Sequence, residues 1–311
     1  MASSRIATVF GASGFIGRYV VKNLADRGFI VRAATRTPER CMALRPLGRV
    51  GQIVPLYAPL GNEADMTRAI EGADSVINLV GIIAERRPGD FDRIHHHGAG
   101  ALARIAAEAG VRAFVHVSAL GADPAARSRY ASTKGLGEAV VRSTFPGAVI
   151  LRPSVVFGPE DRFLNLLGRM AALFPILPVF EGATRFQPVY AGDVAAAVLA
   201  GLDRADTQGR IFELGGPDIR SFRDLIDEVL VETRRHRTLV TVPRWLAMLE
   251  ASVLEHLPGR MLTRDQLLLL RRDNVVAEGS MGLEALGITP TPMRLVVPDY
   301  LRRYRPAGHK E

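Results

Sequence analysis

The sequence predicts an α/β fold, a doubly wound parallel sheet with a smaller C-terminal lobe. Three observations indicate this fold. Short apolar runs alternate with longer amphipathic stretches through the first half of the chain, three closely spaced glycines follow the first apolar run, and the alternation loosens after about residue 153. Strands that alternate with helices are typical of βαβ units, in which helices cover both faces of a parallel sheet.

The elements follow in order from these patterns. Short apolar runs predict buried strands, and stretches with apolar residues at helical spacing predict helices. The predicted strands are residues 5–10, 30–34, 52–57, 74–80, 112–117, 148–151 and 210–214. The predicted helices are residues 15–27, 92–109, 133–143, 193–205, 222–235 and 242–257. We therefore expect a first domain at residues 1–155 and a smaller mixed α/β lobe at residues 156–311, part of which returns to the sheet.

Composition excludes several classes of protein. The chain has 311 residues, of which 48% are hydrophobic and 23% charged, so it can bury a core and is not disordered. A single cysteine excludes a disulfide framework and favours a reducing compartment. No apolar run approaches the roughly 20 residues of a membrane-spanning helix. The first strand begins close to Met1, which leaves no room for a signal peptide. We expect a cytoplasmic protein.

The net charge of +8 does not indicate a nucleic-acid partner. The excess of basic residues is spread along the chain, whereas nucleic-acid binding needs a concentrated basic patch. A mild attraction to anionic lipid headgroups stays open, which would place the protein on the cytoplasmic face of a bacterial inner membrane.

The strongest motif lies between the first predicted strand and helix, where VFGASGFIG has the spacing GxxGxxG. Glycines there allow a tight turn, a close approach of the backbone to a pyrophosphate and close packing of the helix on the strand. The N-terminus of the helix offers free N–H groups to phosphates. The motif predicts a dinucleotide-binding (Rossmann) site. The residues assigned to the cofactor are Gly11, Ser13, Gly14, Phe15, Ile16 and Gly17.

The end of the second strand predicts which dinucleotide binds. NAD-preferring sites carry an acidic residue there, whereas an arginine accommodates the 2′-phosphate of NADP. Here the strand is followed by Arg36, with Arg40 nearby and no acidic residue before Glu39. NADP(H) is favoured over NAD(H); the alternative is that Arg36 is a solvated surface residue. Asn78, Val80 and Gly81, at the end of the fourth strand, are also assigned to the cofactor, although Gly81 can equally be a turn residue.

A candidate catalytic group follows the fifth predicted strand. The spacing YxxxK puts Tyr130 and Lys134 on one helical face. A phenol with a pKa near ~10 is a poor acid or base at neutral pH, and a nearby ammonium group lowers that pKa. Lys134 can also hold the nicotinamide ribose, and Ser118 can bind a substrate carbonyl oxygen. The alternative is an exposed helical pair without catalytic function.

These motifs resemble the short-chain dehydrogenase/reductase superfamily in its extended or atypical branch. The segments that carry the resemblance are GASGFIG (11–17), NLVG (78–81), HVS (116–118), YASTK (130–134) and LRPSVVFGP (151–159), the last of which adds Pro153 to the predicted cofactor site. Nearly the whole chain is similar to the family of nucleotide-binding accessory subunits of respiratory complex I. The landmarks of that family are LRPLGRVGQ (44–52), DSVINLVG (74–81), EAGVRAFVHVS (108–118), GEAVVR (137–142), PSVVFGPEDRFLN (153–165), QPVYAGDVA (187–195), LTRDQ (262–266) and LGITPTP (286–292).

The resemblance implies a tightly held, structural NADPH and complex I subunits as partners. Two departures accompany it. The position at which many superfamily members place an asparagine to anchor a proton-relay water is His95, which puts an efficient relay in doubt. Residues 58–60 read Ala-Pro-Leu where relatives often carry an aspartate that contacts adenine. We expect no metal at the run from His95 to His97, because neighbouring helical residues point about 100° apart.

Three functions stay open on sequence alone. The first is an accessory protein of a respiratory NADH:quinone oxidoreductase. The second is a free-standing reductase, dehydrogenase or epimerase/dehydratase-like enzyme acting on a small molecule such as a quinone precursor or another carbonyl compound. The third is a redox sensor that reports NADPH. The apolar residues at helical spacing in 242–257 suit a partner subunit or a membrane surface, or else the core of the second lobe.

Overall fold

The computed structural model describes residues 5–243, 245–246 and 263–306. The described residues form two compact units. The first comprises Met1–Pro153, Ala191–Leu214 and Gly279–Ile288, and the second comprises Ser154–Tyr190, Gly215–Glu278 and Thr289–Glu311. The first unit is therefore assembled from three separate stretches of chain.

The strands are β1 (Ile6–Phe10), β2 (Ile30–Thr35), β3 (Ile53–Tyr57), β4 (Ser75–Asn78), β5 (Ala113–Val117), β6 (Val149–Pro153), β7 (Val156–Phe157), β8 (Ile176–Val179), β9 (Arg185–Phe186), β10 (Val189–Tyr190), β11 (Ile211–Leu214), β12 (Arg220–Ser221) and β13 (Thr238–Thr241). The α-helices are α1 (Phe15–Asp26), α2 (Glu39–Met42), α3 (Glu63–Ile70), α4 (Ala99–Glu108), α5 (Arg129–Thr144), α6 (Phe163–Leu173), α7 (Ala191–Asp203), α8 (Phe222–Glu232), α9 (Arg264–Leu269) and α10 (Val297–Leu301). A π-helix, Asp92–Gly98, leads directly into α4.

The first unit contains a seven-stranded sheet in the order β3-β2-β1-β4-β5-β6-β11. All neighbouring strands are parallel. The predicted doubly wound parallel sheet is confirmed, and the seven strands predicted for it are all present. The order reverses between β1 and β4, and ligands of such folds bind beyond the carboxyl ends of the strands at that switch point.

Both faces of this sheet are apolar, and helices that bury apolar side chains pack against each of them. α1 buries Val20, Val21 and Leu24 and packs against α7. On the other face, α3, α4 and α5 contribute to a core with the sheet. The large side chains of this core include Phe10, Met66, Ile70, Leu102, Phe114 and Ile150. Both faces of the sheet are covered, as its continuously apolar strands require.

Several boundaries differ from the sequence predictions. α5 begins at Arg129 rather than at residue 133, because the side chain of Ser128 accepts a hydrogen bond from the Ala131 N–H and caps the helix earlier. Neither α3 nor α6 was predicted. α6 ends at Leu173, two residues before Pro175, so the proline follows the helix and does not interrupt it. Of the predicted helix 242–257, only residues 242, 243, 245 and 246 lie within the described residues.

The second unit has its own apolar core, which α6, α8 and α10 share. Its C-terminal arginines are engaged with backbone carbonyls. Arg303 donates to the carbonyl oxygens of Tyr300 (2.7 Å) and Pro159 (2.6 Å), and Arg305 donates to that of Glu232 (2.9 Å). Within the described ranges, the helices are all too short or too polar to cross a membrane.

Candidate functional site

The glycine turn after β1 has the geometry that the motif predicts. Gly11 adopts φ +85°, a left-handed conformation that favours glycine. A Cβ on Gly17 would lie 2.4 Å from the Gly11 carbonyl oxygen, so α1 can pack this closely on the turn only without a side chain there. Gly14 is the N-cap of α1, forms no side-chain cap and is followed by no acidic residue in the first turn. The N–H groups of this helix end are therefore oriented for an anion.

The end of β2 is joined to this turn through hydroxyl groups. Ser13 Oγ lies 3.2 Å from Thr35 Oγ1, which also accepts a hydrogen bond from the Thr37 N–H at 3.3 Å. Arg36 follows Thr35 directly and is exposed, as is Arg40. Phe15 and Ile16 are half-buried in the first turn of α1. The hydroxyl contact thus joins the end of β2, which the backbone of Arg36 follows, to the glycine turn.

The side-chain amide of Asn78 is buried at the end of β4 and forms hydrogen bonds there. Asn78 is fully buried, its Oδ1 accepts a hydrogen bond from the Val80 N–H at 3.1 Å, and its Nδ2 lies 3.1 Å from Nδ1 of His116. The Asn78 side chain is therefore committed to the protein, and Gly81, which is exposed, presents backbone at this edge.

Lys134 connects this edge to β5. Tyr130 and Lys134 lie one turn apart on α5, and the buried Nζ of Lys134 donates to the Val117 carbonyl oxygen at 3.2 Å. The same nitrogen lies 3.2 Å from the position that a Cβ on Gly81 would occupy. Burial lowers the pKa of Lys134 to about 8, against the opposing effect of the Glu138 carboxylate.

Ser118 follows Val117 and carries an unsatisfied hydroxyl. Its backbone N–H donates to the Leu151 carbonyl oxygen at 2.7 Å, whereas its buried Oγ has no hydrogen-bond partner among the described residues. A buried hydroxyl without a partner costs about 1–3 kcal/mol, which a ligand oxygen can offset. Pro153, at the end of β6, is buried and its carbonyl oxygen accepts a hydrogen bond from the Leu120 N–H at 3.0 Å.

His95 lies beside Tyr130 with both ring nitrogens engaged. Its Nε2 accepts a hydrogen bond from the Ile82 N–H and its Nδ1 lies against Thr133 Oγ1, both at 3.1 Å. Its ring packs edge-on to that of Tyr130 and is stacked on that of Phe91. Burial, followed by the charge of Lys134, lowers the pKa of His95 to about 2, so the ring is neutral.

His116 and Thr133 belong to this site although the sequence did not single them out. Burial, followed by the charge of Lys134, lowers the pKa of His116 to about 3, and its Nε2 has no partner among the described residues. Side chains alternate between the two faces of β5, so His116 lies on the same face as Phe114, which belongs to the core. This spacing in the sequence could have indicated that His116 is buried. Thr133 lies within the YASTK motif itself.

The expectation that neighbouring histidines of this run point about 100° apart is wrong for His96 and His97. Their rings are stacked with centroids 4.5 Å apart, and both pair with Asp92. The reason is that this segment is π-helical, so the angular spacing of an α-helix does not apply.

Comparison with known proteins identifies the family. The profile described as the NAD dependent epimerase/dehydratase family matches residues 7–215. The chain belongs to this family. Its members bind NAD(P), and the glycine turn, the uncapped start of α1 and the unpartnered Ser118 hydroxyl fit such a dinucleotide. The predicted superfamily is therefore confirmed.

The chain is also similar to individual proteins. It is 33% identical over 319 residues to NADH dehydrogenase [ubiquinone] 1 alpha subcomplex subunit 9, mitochondrial, of Arabidopsis thaliana, covering 98% of this chain and 79% of that protein. It is 34% identical over 195 residues to a ceramide reductase of Caulobacter vibrioides, covering 63% and 60%. The predicted likeness to an accessory subunit of complex I is confirmed.

A solved structure shares the fold. The NADPH-dependent quinone oxidoreductase QOR2 of Escherichia coli, complexed with NADPH, superposes with a TM-score of 0.73 at 19% identity, covering 95% of this chain and 99% of that one. At this identity the likeness concerns the fold alone.

Proposed function

We propose that the protein is an NADP(H)-binding accessory or assembly-associated protein of a respiratory NADH:quinone oxidoreductase, and that NADPH is a structural part of it. The observation that carries this proposal is the state of His95. By the family resemblance it stands where relatives place the relay asparagine, and its Nε2 accepts a hydrogen bond from the Ile82 N–H while its Nδ1 bonds Thr133 Oγ1. Neither ring nitrogen is therefore left to anchor the proton-relay water that the asparagine would hold. The whole-length likeness to the Arabidopsis thaliana subunit supports the same role.

The residues that would hold NADPH lie along one edge of the sheet. The N–H groups that follow Gly11 and Gly14 would bind the pyrophosphate, and Arg36 would bind the 2′-phosphate. Lys134 would hold the nicotinamide ribose. A ligand that binds the folded state alone stabilises it by mass action, about 4 kcal/mol at a thousandfold excess over Kd. A nucleotide that does not leave would thus stabilise the folded first unit permanently.

The second candidate is a free-standing reductase, and the unpartnered hydroxyl of Ser118 favours it. In that case Ser118 would polarise a substrate carbonyl, Tyr130 would supply the proton and Lys134 would tune the phenol. The bound dinucleotide supplies a hydride in such chemistry. The likeness to the ceramide reductase of Caulobacter vibrioides supports this candidate.

Purification from the native source tests these two functions against each other. We expect stoichiometric NADPH after denaturation of the protein, no exchange with labelled NADPH and no oxidation by quinones or carbonyl compounds. Steady turnover that is lost in Tyr130→Phe would overturn the accessory role in favour of the reductase. Ser118→Ala serves as a second variant for the same assay.

Co-purification tests the partners. We expect the protein to sediment with membranes and to co-elute with the respiratory NADH:quinone oxidoreductase, bound at the cytoplasmic face. Elution as a free protein under conditions that keep that complex intact would contradict this assignment.

A further inference from the structure

Asp92, His96 and His97 form a compact group of potential metal ligands on the first unit. One ligand atom from each of the three lies within 4.8 Å of the others. Asp92 Oδ1 is 3.0 Å from Nδ1 of His96, and Asp92 Oδ2 is 2.9 Å from Nε2 of His97. The two imidazoles are stacked at an interplanar angle of 26°. The carboxylate therefore faces both rings at once.

The π-helical backbone produces this arrangement. Hydrogen bonds from residue i to residue i+5 widen each turn, so residues four and five positions along the chain lie beneath residue i. Asp92 is followed at those positions by His96 and His97. The same backbone directs His95 into the core, where it is 2% exposed, while the side chain of His97 is 69% exposed. The three consecutive histidines thus divide between two sites.

Nearby positive charges are already balanced by carboxylates. Arg93 donates to Asp90 at 2.7 Å, and Arg104 pairs with Glu63 at 2.7 Å and with Glu108 at 3.0 Å. These arginines line, together with the two histidines, an open cleft of about 560 Å³. A cation beside Asp92 would therefore meet little net repulsion, and the cleft gives it access from solvent.

We propose that Asp92, His96 and His97 bind a divalent transition-metal ion, Zn²⁺ in the first instance. Two imidazole nitrogens and one carboxylate suit Zn²⁺, whereas Mg²⁺ and Ca²⁺ prefer oxygen ligands alone. Three protein ligands leave at least one position for water or for an oxygen of a bound molecule. The site differs from the candidate dinucleotide site in its residues: His95 packs against Tyr130, whereas His96 and His97 line the open cleft.

Zinc titration of tag-free, chelator-treated protein at neutral pH tests the proposal. We expect one Zn²⁺ per chain by calorimetry, with affinity lowered at least roughly tenfold in each of Asp92→Asn, His96→Gln and His97→Gln, as is typical when a metal site loses a contact. His236→Gln is the matched control, because His236 is an exposed histidine of the second unit and its replacement should leave the affinity unchanged.

Cobalt substitution gives a second readout. Co²⁺ at a site with nitrogen ligands and low coordination number produces visible d–d absorption, which should disappear in the three site variants and persist in His236→Gln. Circular dichroism and unchanged NADPH binding would show that the variants fold. Absence of stoichiometric Zn²⁺ binding, or equal Zn²⁺ affinity in folded wild type and site variants, would overturn the proposal.

Discussion

The ammonium group of Lys134 donates a hydrogen bond of 3.2 Å to the carbonyl oxygen of Val117, the last residue of β5. This contact holds the buried ammonium group between the carboxyl end of β5 and the backbone of Gly81. Two neutral histidines, His95 and His116, have their pKa values lowered in part by the same charge. Burial is the larger cause of both shifts, and the charge of Lys134 adds to it.

The buried Lys134 should make stability rise with pH in the alkaline range. Its pKa is about 8 in the folded protein, against about 10.4 in an unfolded chain, so the unfolded state binds more protons between these values. The free energy of unfolding of the nucleotide-free protein should therefore increase across this window, relative to Lys134→Met, by roughly 3 kcal/mol. Urea denaturation at both ends of the window measures it, and parallel curves for the two proteins would contradict it.

Acid should destabilise the protein partly through His116. Its pKa is about 3 when folded and about 6.5 when unfolded, so the unfolded state takes up the proton first and stability falls below pH ~6.5. The contribution is about 1.4 kcal/mol for each pH unit. His116→Leu should lose less stability than wild type between neutral and mildly acidic pH. Identical slopes in wild type and His116→Leu would refute this prediction.

Gly17→Ala should weaken both folding and dinucleotide binding. The new methyl group would meet the Gly11 carbonyl oxygen at 2.4 Å, so the turn or α1 must shift, at a cost of about 1–3 kcal/mol. Gly147→Ala is the control, since the nearest atom to its Cβ is 3.6 Å away. Thermal unfolding and NADPH titration should show lower stability and lower NADPH affinity for Gly17→Ala than for Gly147→Ala. Equal stability and equal affinity in the two variants would show that the glycine turn tolerates a side chain.

Arg36→Ala should lower the affinity for NADPH far more than that for NADH. Charge-assisted hydrogen bonds are worth about 1.5–3 kcal/mol, which corresponds to roughly a 10- to 100-fold loss for NADPH alone. Arg49→Ala is the control, because Arg49 is also exposed but lies just before β3, where its N–H donates to Gln52 near the start of β2, away from the strand end that Arg36 follows. Isothermal titration with both nucleotides decides the matter, and equal losses for NADPH and NADH would show that Arg36 does not read the 2′-phosphate.

Local patterns were sufficient to predict most of the first unit. The seven strands of the sheet are apolar runs, and the glycine turn is a contiguous motif whose backbone requirements are local. α5 begins four residues before the start that its sequence pattern predicts, because Ser128 caps it. The prolines after residue 153 do not indicate α6, because Pro175 lies after the end of that helix.

Features that depend on distant contacts could not be predicted. His116 acquires its low pKa from burial and from Lys134, which lies on a different element. The two bonds of His95 reach Ile82 and Thr133, one on either side of it in sequence. The pairing of Asp92 with two histidines is local, but it too could not be predicted, because it depends on a π-helical backbone that side-chain spacing alone does not reveal.

The late strand β11 has a consequence for how the protein is made. It lies beside β6, and Glu213 on it approaches Arg152, which is already paired with Glu138. A nascent chain that has emerged only to Pro153 carries the whole glycine turn, Tyr130 and Lys134, yet β6 is still an open edge and α1 lacks its cover of α7. Translation must continue to Leu214 before the edge closes, so premature termination in between would yield an aggregation-prone fragment, not a smaller nucleotide carrier.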